Sequence, residues 1–496
     1  MKIAIEGCCH GELDAIYSSL ARLEEMHKMK VDLLICCGDF QCVRDSNDLQ
    51  FLACPPKYRD LRDFPAYFRG EKEAPCLTVF VGGNHEAPTV LRELYYGGWV
   101  APKIFYLGHA GVVNVGGVRI AGLSGIFKSQ DYRKGYFERP PYTEDTMRSA
   151  YHVREFEIAK LSELTGRVDI VVTHDWPEGI YDFGDKTELI RQKPFLEKDI
   201  QAHELGNPHS MELLKKLKPA FWFAAHLHTR FAAVYVHPGP EGKATRFLAL
   251  DKVLPRREFL QILEVEPLLP AGYVQQLSPG ISRRSPTLCY DEEWLAILRA
   301  NQQVLPVSRF PQKSCLVTKA TADDLATVKK NLASLGLRNY RETSSPKRLS
   351  LNSVGAAAAA EDARRESDGD RRSAREEKEG CEEAAAGASA GASVQRTDIA
   401  AETPPQPQGG QEESTVFEWI NWADPRAPYT ELKEQRLFLL RNILGFDEAD
   451  DKFGEARQRE AAGVDVPVDW TSGHVDPQRT TEEVDICLDL SDEETA

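Results

Sequence analysis

A chain of 496 residues has room for roughly two to four domains, and one domain of ordinary size already buries a substantial core. Its 61 Lys and Arg against 77 Asp and Glu give a formal charge of −16, but residues 447–496 carry −12 of that and the rest only −4, so the acidic average does not exclude a polyanionic partner. Eleven cysteines, an odd number with several inside apolar runs, suit a reducing compartment better than a disulfide framework, and no apolar run is long enough for a signal peptide or a membrane span, which predicts a soluble, intracellular protein.

From residue 1 to 266, short apolar runs alternate with helical periodicity, the pattern of a layered α/β domain. Residues 3–6 read as a strand. Leu13, Ile16, Leu20, Leu23 and Met26 then recur at spacings of three and four, one apolar stripe of a helix packed on a sheet. Further buried strands are predicted at 31–37, 77–81, 168–173 and 221–225, a hairpin at 112–123 around Gly116-Gly117, and a closing strand at 259–265. Residues 267–343 read as a smaller C-terminal accessory domain with one clear helix at 291–301. The Ala, Glu, Arg, Gly and Ser bias of 344–414 predicts a disordered linker. Residues 415–446 read as a short ordered helical island that folds back or binds a partner, and 447–496 as an acidic disordered tail.

Five of the apolar runs end in residues that ligate metals. They are Cys8-Cys9-His10-Gly11, Gly38-Asp39, Gly82-Gly83-Asn84-His85-Glu86, Thr173-His174-Asp175 and His226-Leu227-His228. Open α/β sheets collect such residues in one crevice beyond the strand carboxyl ends. Two divalent cations about 3.5–4 Å apart require a shared carboxylate, neutral N and O ligands around it, and open positions for water and phosphate. Asp39 is the natural bridge. His10, His174, His226 and His228 supply imidazoles, and Asn84 offers an amide oxygen without adding negative charge beside an anionic substrate. His85, one residue past Asn84 on a turn, is placed to reach a leaving-group oxygen and suits a general acid. Each fragment alone is more often a turn or a satisfied histidine; five in order, each at a strand end, make the metal reading much the stronger.

Gly-Asp, Gly-Asn-His-Glu, Thr-His and His-x-His in this order resemble the signature of the calcineurin-like metallophosphoesterases, over residues 1 to about 240. The resemblance implies a sandwich of two mixed β-sheets flanked by helices. It also implies His10, Asp39 and His228 on one metal, Asp39, Asn84, His174 and His226 on the other, and His85 as the acid. One position departs from the pattern, because Cys8 stands where that family has an aspartate. The runs Gly7-Cys8-Cys9-His10-Gly11-Glu12-Leu13-Asp14, Gly38-Asp39-Phe40-Gln41 and Thr173-His174-Asp175-Trp176-Pro177 are similar to the RNA lariat debranching enzymes, in which that cysteine is normal. A thiolate is a softer ligand than a carboxylate and favours Zn²⁺ or Fe²⁺ over Mg²⁺. Cys8 is therefore expected as a ligand, with Fe²⁺ and Zn²⁺ as the two cations and Mn²⁺ as a substitute.

Residues 124–154 interleave aromatic and basic side chains: Phe127, Tyr132, Tyr136, Phe137, Tyr142 and Tyr151 with Lys128, Arg133, Lys134 and Arg139. Aromatic faces stack unpaired bases while cations track phosphates, which suits single-stranded or branched RNA. The resemblance places a lariat recognition loop here. It implies hydrolysis of the 2′,5′-phosphodiester at the branch point of excised intron lariat RNA by water activated between two metals, with His85 protonating the departing 2′ oxygen. Linear intron RNA is the product, and nuclear residence follows from that substrate. The expected partner is branched intron lariat RNA, with no membrane and with protein partners expected only through the C-terminal region. Two rival readings are a different metallophosphoesterase, acting on nucleotides or phosphoproteins, and a non-catalytic RNA-binding scaffold. Cys8 and the aromatic-basic segment count against the first, and the retained Asn84, His85, His226 and His228 against the second. His109 and Asp175 carry no motif that separates assistance from a surface role.

Overall fold

Alternation decides the layering. Along residues 2–6, Ile3 and Ile5 face one side and Ala4 the other, and all three are fully buried, so a sheet built from such strands is covered on both faces. The computed structural model describes residues 1–240, 242–265, 288–335 and 427–453. The predicted linker, residues 415–426 of the predicted helical island and the tail beyond 453 lie outside the described residues.

The strands are β1 (Lys2–Glu6), β2 (Leu33–Cys36), β3 (Leu77–Phe80), β4 (Gly98–Ala101), β5 (Ile104–Tyr106), β6 (Ala110–Val115), β7 (Val118–Leu123), β8 (Ile170–Thr173), β9 (Phe221–Ala224), β10 (Phe231–Val236), β11 (Ala244–Ala249), β12 (Leu260–Glu264) and β13 (Leu288–Tyr290). They form one sheet in the order β12-β1-β2-β3-β5-β4 and a second in the order β10-β11-β9-β8-β7-β6-β13. In the first, β1, β2, β3 and β5 run parallel between antiparallel β12 and β4. In the second, β7, β8, β9 and β11 run parallel, β10 and β6 run against them, and β13 pairs antiparallel with β6. Ile3, Ile5, Leu33, Ile35 and Val79 of the first sheet meet Val113, Ile120, Ile170, Val172 and Phe223 of the second in the core between them. Two mixed sheets packed face to face, with helices outside, are the expected architecture.

The helix Leu13–His27 covers the outer face of the first sheet through Leu13, Ile16, Tyr17 and Leu20. The predicted stripe stops there. Met26 is 61% exposed, because the last turn carries no buried residue.

The region read as an accessory domain contributes to the second sheet itself, since Leu288–Tyr290 pairs antiparallel with Val113–Val115. Asp291 then caps the helix Glu292–Asn301 by accepting from the Trp294 N–H, and the same carboxylate takes both Nε and Nη2 of Arg119 from β7. The helix Ala427–Phe438 runs on as a π turn, Leu439–Ile443, and packs on the edge of the first sheet. Gln435 there bonds both the N–H and the C=O of Trp99, satisfying the edge strand β4. The boundary predicted at 446 falls inside a packed segment: Asp451 is buried in an ion pair with Arg436, and Phe453 is buried as well. Among the described residues, no helix is long and apolar enough to cross a membrane.

Candidate metal centre

Each predicted ligand follows the carboxyl end of a strand. β1 leads to Cys8 and His10, β2 to Asp39, β3 to Asn84 and His85, β8 to His174, and β9 to His226 and His228. The two sheets therefore deliver all of them to one edge of the sandwich. Tight turns aim them: His10, Asp39, His226 and His228 have φ of 46°, 44°, 68° and 48°, a region that side-chain-bearing residues enter only when their surroundings hold them there.

Asp39 stands at the centre. Its Oδ2 lies 3.7 Å from Nε2 of His10, while Oδ1 lies 3.2 Å from Nε2 of His174 and accepts the His85 backbone N–H at 2.8 Å. The two carboxylate oxygens thus face two separate ligand groups. On one side, Cys8, His10, Asp39 and His228 offer atoms that all lie within 4.8 Å of one another. His10 and His228 present Nε2 to Nε2 at 3.1 Å. On the other side, His174 Nε2 is 3.2 Å from Asn84 Oδ1, and its ring centroid is 5.0 Å from that of His226. His174 Nδ1 lies 2.9 Å from the Cys37 carbonyl, which can only accept, so Nδ1 carries a proton and Nε2 is the ring nitrogen turned to Asp39 and Asn84. The His85 ring packs edge-on to His10, with centroids 4.9 Å apart.

The electrostatics fit cations. Burial lowers His10 and His226 to about 3 and His228 further still, so these imidazoles are neutral, as metal ligands must be. Burial alone would raise Asp39, but the imidazoles of His174, His85 and His10 hold it well below the usual carboxylate range. Against its own burial, Asp39 lifts His174 above its ordinary value. Burial, with Asp39 beside it, pushes the Cys8 thiol well up, so Cys8 becomes a thiolate only when a cation shares its site. The His226 backbone N–H already points at the Cys8 sulfur, at 3.1 Å. Nitrogen facing nitrogen at 3.1 Å and one carboxylate divided between two neutral donor sets are satisfied together by a pair of divalent ions.

Glycine keeps the floor open. A β-carbon on Gly83 would sit 2.2 Å from Oδ1 of Asp39 and 2.7 Å from Nε2 of His174. Sequence reasoning missed the support beneath. Glu86, 1% exposed, accepts the backbone N–H groups of Phe40, Cys42 and Gly83 at 2.7, 2.9 and 3.3 Å, tying the Asp39 loop to the Asn84 loop; burial lifts it to about 7. Its place in the Gly-Asn-His-Glu run is the only sequence signal for it.

The 124–154 segment begins beside the ligands. Asp175, next to His174, accepts the Phe127 N–H at 3.0 Å and is raised by burial to about 6. The segment holds only short helices, Ser129–Tyr132 and Glu144–Ser149, and closes on one bridge between Ile126 and His152. Tyr132, also a predicted RNA contact, is buried and stacks flat on His209, with centroids 4.0 Å apart. Phe127, Lys128, Lys134, Phe137, Tyr142 and Tyr151 are partly exposed and Arg133 is exposed. Two predicted RNA contacts are committed elsewhere. Tyr136 is buried, its hydroxyl on Glu157 at 3.1 Å beside Tyr95, and Arg139 donates to the carbonyls of Tyr136, Glu138 and Lys452. Both side chains shape the segment from within, because the buried Glu157 and the bare carbonyls of the turn require donors. His109 likewise belongs to the packing against Tyr95 and Tyr136.

Residues 1–230 match the family model described as calcineurin-like phosphoesterase, and the fold and the ligand set together define that class. Residues 242–384 match the model described as the lariat debranching enzyme, C-terminal domain. Lariat debranching enzyme A of Xenopus laevis is 53% identical over 313 residues, 62% of this chain and 56% of that protein. The Homo sapiens lariat debranching enzyme is 52% identical over 314 residues, 62% of this chain and 55% of that protein. That of Arabidopsis thaliana is 51% identical over 309 residues, 62% of this chain and 70% of that protein. The chain belongs to the lariat debranching enzyme family. The match spans little more than half the length of the vertebrate relatives. The family and the Cys, His and Asp cluster point to bound divalent metal ions.

Proposed function

We propose that this protein hydrolyses the 2′,5′-phosphodiester at the branch point of excised intron lariat RNA, giving linear intron RNA. The observation that carries the reading is Asp39 divided between two neutral donor sets, one of which contains Cys8. In this reading Cys8, His10, Asp39 and His228 hold one cation, and Asp39, Asn84, His174 and His226 the other. Fe²⁺ and Zn²⁺ suit a donor set with one thiolate and several imidazoles, and Mn²⁺ is a plausible replacement. When bound, the cation pair stabilises the charge that builds on the phosphoryl oxygens and makes water at the site acidic enough to attack.

The chain's own groups do the rest. Asp39 fixes the spacing of the two sets. His85 is held by its backbone bond to Asp39, so its ring is free to give a proton to the departing 2′ oxygen. Phe127, Lys128, Tyr132, Arg133, Lys134, Phe137, Tyr142 and Tyr151 form a recognition loop that stacks bases and follows phosphates, while Tyr136 and Arg139 keep its shape. Nuclear residence follows from such a substrate, and the C-terminal region is where protein partners would bind.

Matched 2′,5′-branched and linear 3′,5′ RNA oligonucleotides test the reading, with Mn²⁺, or Fe²⁺ and Zn²⁺, supplied before and after chelation. Metal-dependent cleavage of the branch alone is expected. Cleavage of bis-nitrophenyl phosphate with both RNAs intact would transfer the activity to another phosphodiester, and silence on all three would leave a scaffold.

A further inference from the structure

Neither family model reaches residues 427–453, yet these residues pack beside the recognition loop. Arg436 donates to the carbonyls of Arg92 and Glu93 at 3.3 and 3.2 Å and pairs with Asp451 at 2.9 Å; both charged partners are buried. That pair turns the chain so that Phe453 lies over Tyr95, with centroids 4.5 Å apart, and edge-on to Tyr136 at 6.2 Å. Tyr136 is the loop's own buried ring. Alongside it, Arg139 of the loop donates to the Lys452 carbonyl and Arg92 to the Phe453 carbonyl, each at 3.3 Å. Phe453, Arg92, Arg139, Tyr142 and Glu138 line one cavity under the loop.

The loop needs support from outside because its ends meet in a single bridge and its helices are one or two turns long. One support comes from residues 306–312: Gly135 and Tyr136 donate to the carbonyls of Ser308 and Pro306, and Gln312 donates to that of Arg133. A further one, besides Glu157 under Tyr136 and His209 under Tyr132, is the 450–453 turn. We propose that this turn is a brace that holds the recognition loop in its RNA-binding shape, which makes Phe453 a positioning residue for branched RNA. The proposal rests on the reading of 124–154 as the RNA-contacting loop. A preorganised loop binds more tightly because its ordering is already done before the ligand arrives.

The test compares the full-length wild type with Phe453→Ala, Phe453→Tyr and Arg436→Met. Three readouts serve: KM and kcat on branched RNA, hydrolysis of bis-nitrophenyl phosphate, and amide hydrogen exchange across 124–154. Phe453→Ala should raise KM roughly three- to tenfold, the equivalent of one lost aromatic pair, with kcat little changed. Exchange should quicken within 124–154, the small phosphodiester should be hydrolysed as before, and Phe453→Tyr should behave as wild type. Arg436→Met should reproduce the KM and exchange changes from the other end of the turn, and serves alone if Phe453→Ala does not fold. Unchanged KM and exchange in both lesions would overturn the brace. So would parallel losses on both substrates, which mark a general packing role. If the wild type leaves branched RNA intact while loop exchange still responds, the brace stands as a contact, but its proposed role in RNA binding falls with the functional reading.

Discussion

Backbone conformation is where the site is most constrained at the residue scale. His10, Asp39, His226 and His228 sit at positive φ, each at a cost of roughly 1–3 kcal/mol that the packed strands beneath must offset. His85 escapes this arrangement. It is tied through its backbone N–H, so its side chain is removable without disturbing Asp39. His85→Ala should therefore retain its metal, measured by elemental analysis, while kcat on branched RNA falls about 10²–10⁴-fold. Equal turnover would remove His85 as the acid. A second titratable residue, His109, lies away from the ligands among Tyr95, Tyr136, Arg154 and Lys160. Burial lowers it to about 3, against roughly 6.5 when unfolded. Between those values the unfolded chain binds the extra proton, so stability is full above pH ~6.5 and falls as the pH drops towards 3. The slope is at most about 1.4 kcal/mol per pH unit. In urea titrations of the metal-free protein at pH 7.5 and 5.5, His109→Gln should lose less stability than wild type on acidification; parallel losses would show that His109 does not titrate in that range.

Among the elements, the helix Glu155–Ser162 anchors the 124–154 segment on one buried charge. Glu157 pairs with Lys160 at 2.8 Å and accepts the hydroxyls of Tyr95 and Tyr136 at 2.5 and 3.1 Å, and both charged side chains are nearly inaccessible. Glu157→Ala would strand a buried ammonium and leave two hydroxyls without their acceptor. A loss of about 3–5 kcal/mol is expected in chemical denaturation. Adding Lys160→Met should recover much of it, because the damage is the uncompensated charge rather than a lost attraction. Additive losses in the double variant would point instead to packing around the aliphatic stems.

At the scale of the whole molecule, the apolar core that joins the two sheets brings residues far apart in sequence to one edge. The metal pair would tie β1, β2, β3, β8 and β9 together through side chains that are otherwise held in strained turns. Ligand binding to the folded state alone stabilises it by about 2.7 kcal/mol at a hundredfold excess over Kd. Chelation should thus lower Tm measurably and Mn²⁺ should restore it, whereas a Tm indifferent to chelator would mean that these residues hold no stabilising ion.

Much of this was legible before folding. The ligand types, their order and their positions after apolar runs are local features, because a strand end followed by a glycine or a positive-φ residue is written in neighbouring residues. The alternation reached as far as a layered α/β domain; the two-sheet sandwich came with the resemblance to the metallophosphoesterases. What local sequence could not carry was pairing. That Asp39 offers one oxygen to His10 and the other to His174, and that Glu86 collects three backbone donors from two loops, depends on strands stacking side by side. The aromatic-basic composition marked residues 124–154, but only burial separated Tyr132 and Tyr136, the latter held on Glu157, from the partly exposed Phe127, Phe137, Tyr142 and Tyr151. Composition also made everything past residue 446 read as solvated acid. Asp451 and Phe453 are instead packed, because Arg436 and Tyr95 wait for them on surfaces that exist only once the sheets have formed. Chemistry that resides in residue type and spacing was decided by sequence; which side chain supports which, across hundreds of residues, was decided by tertiary structure.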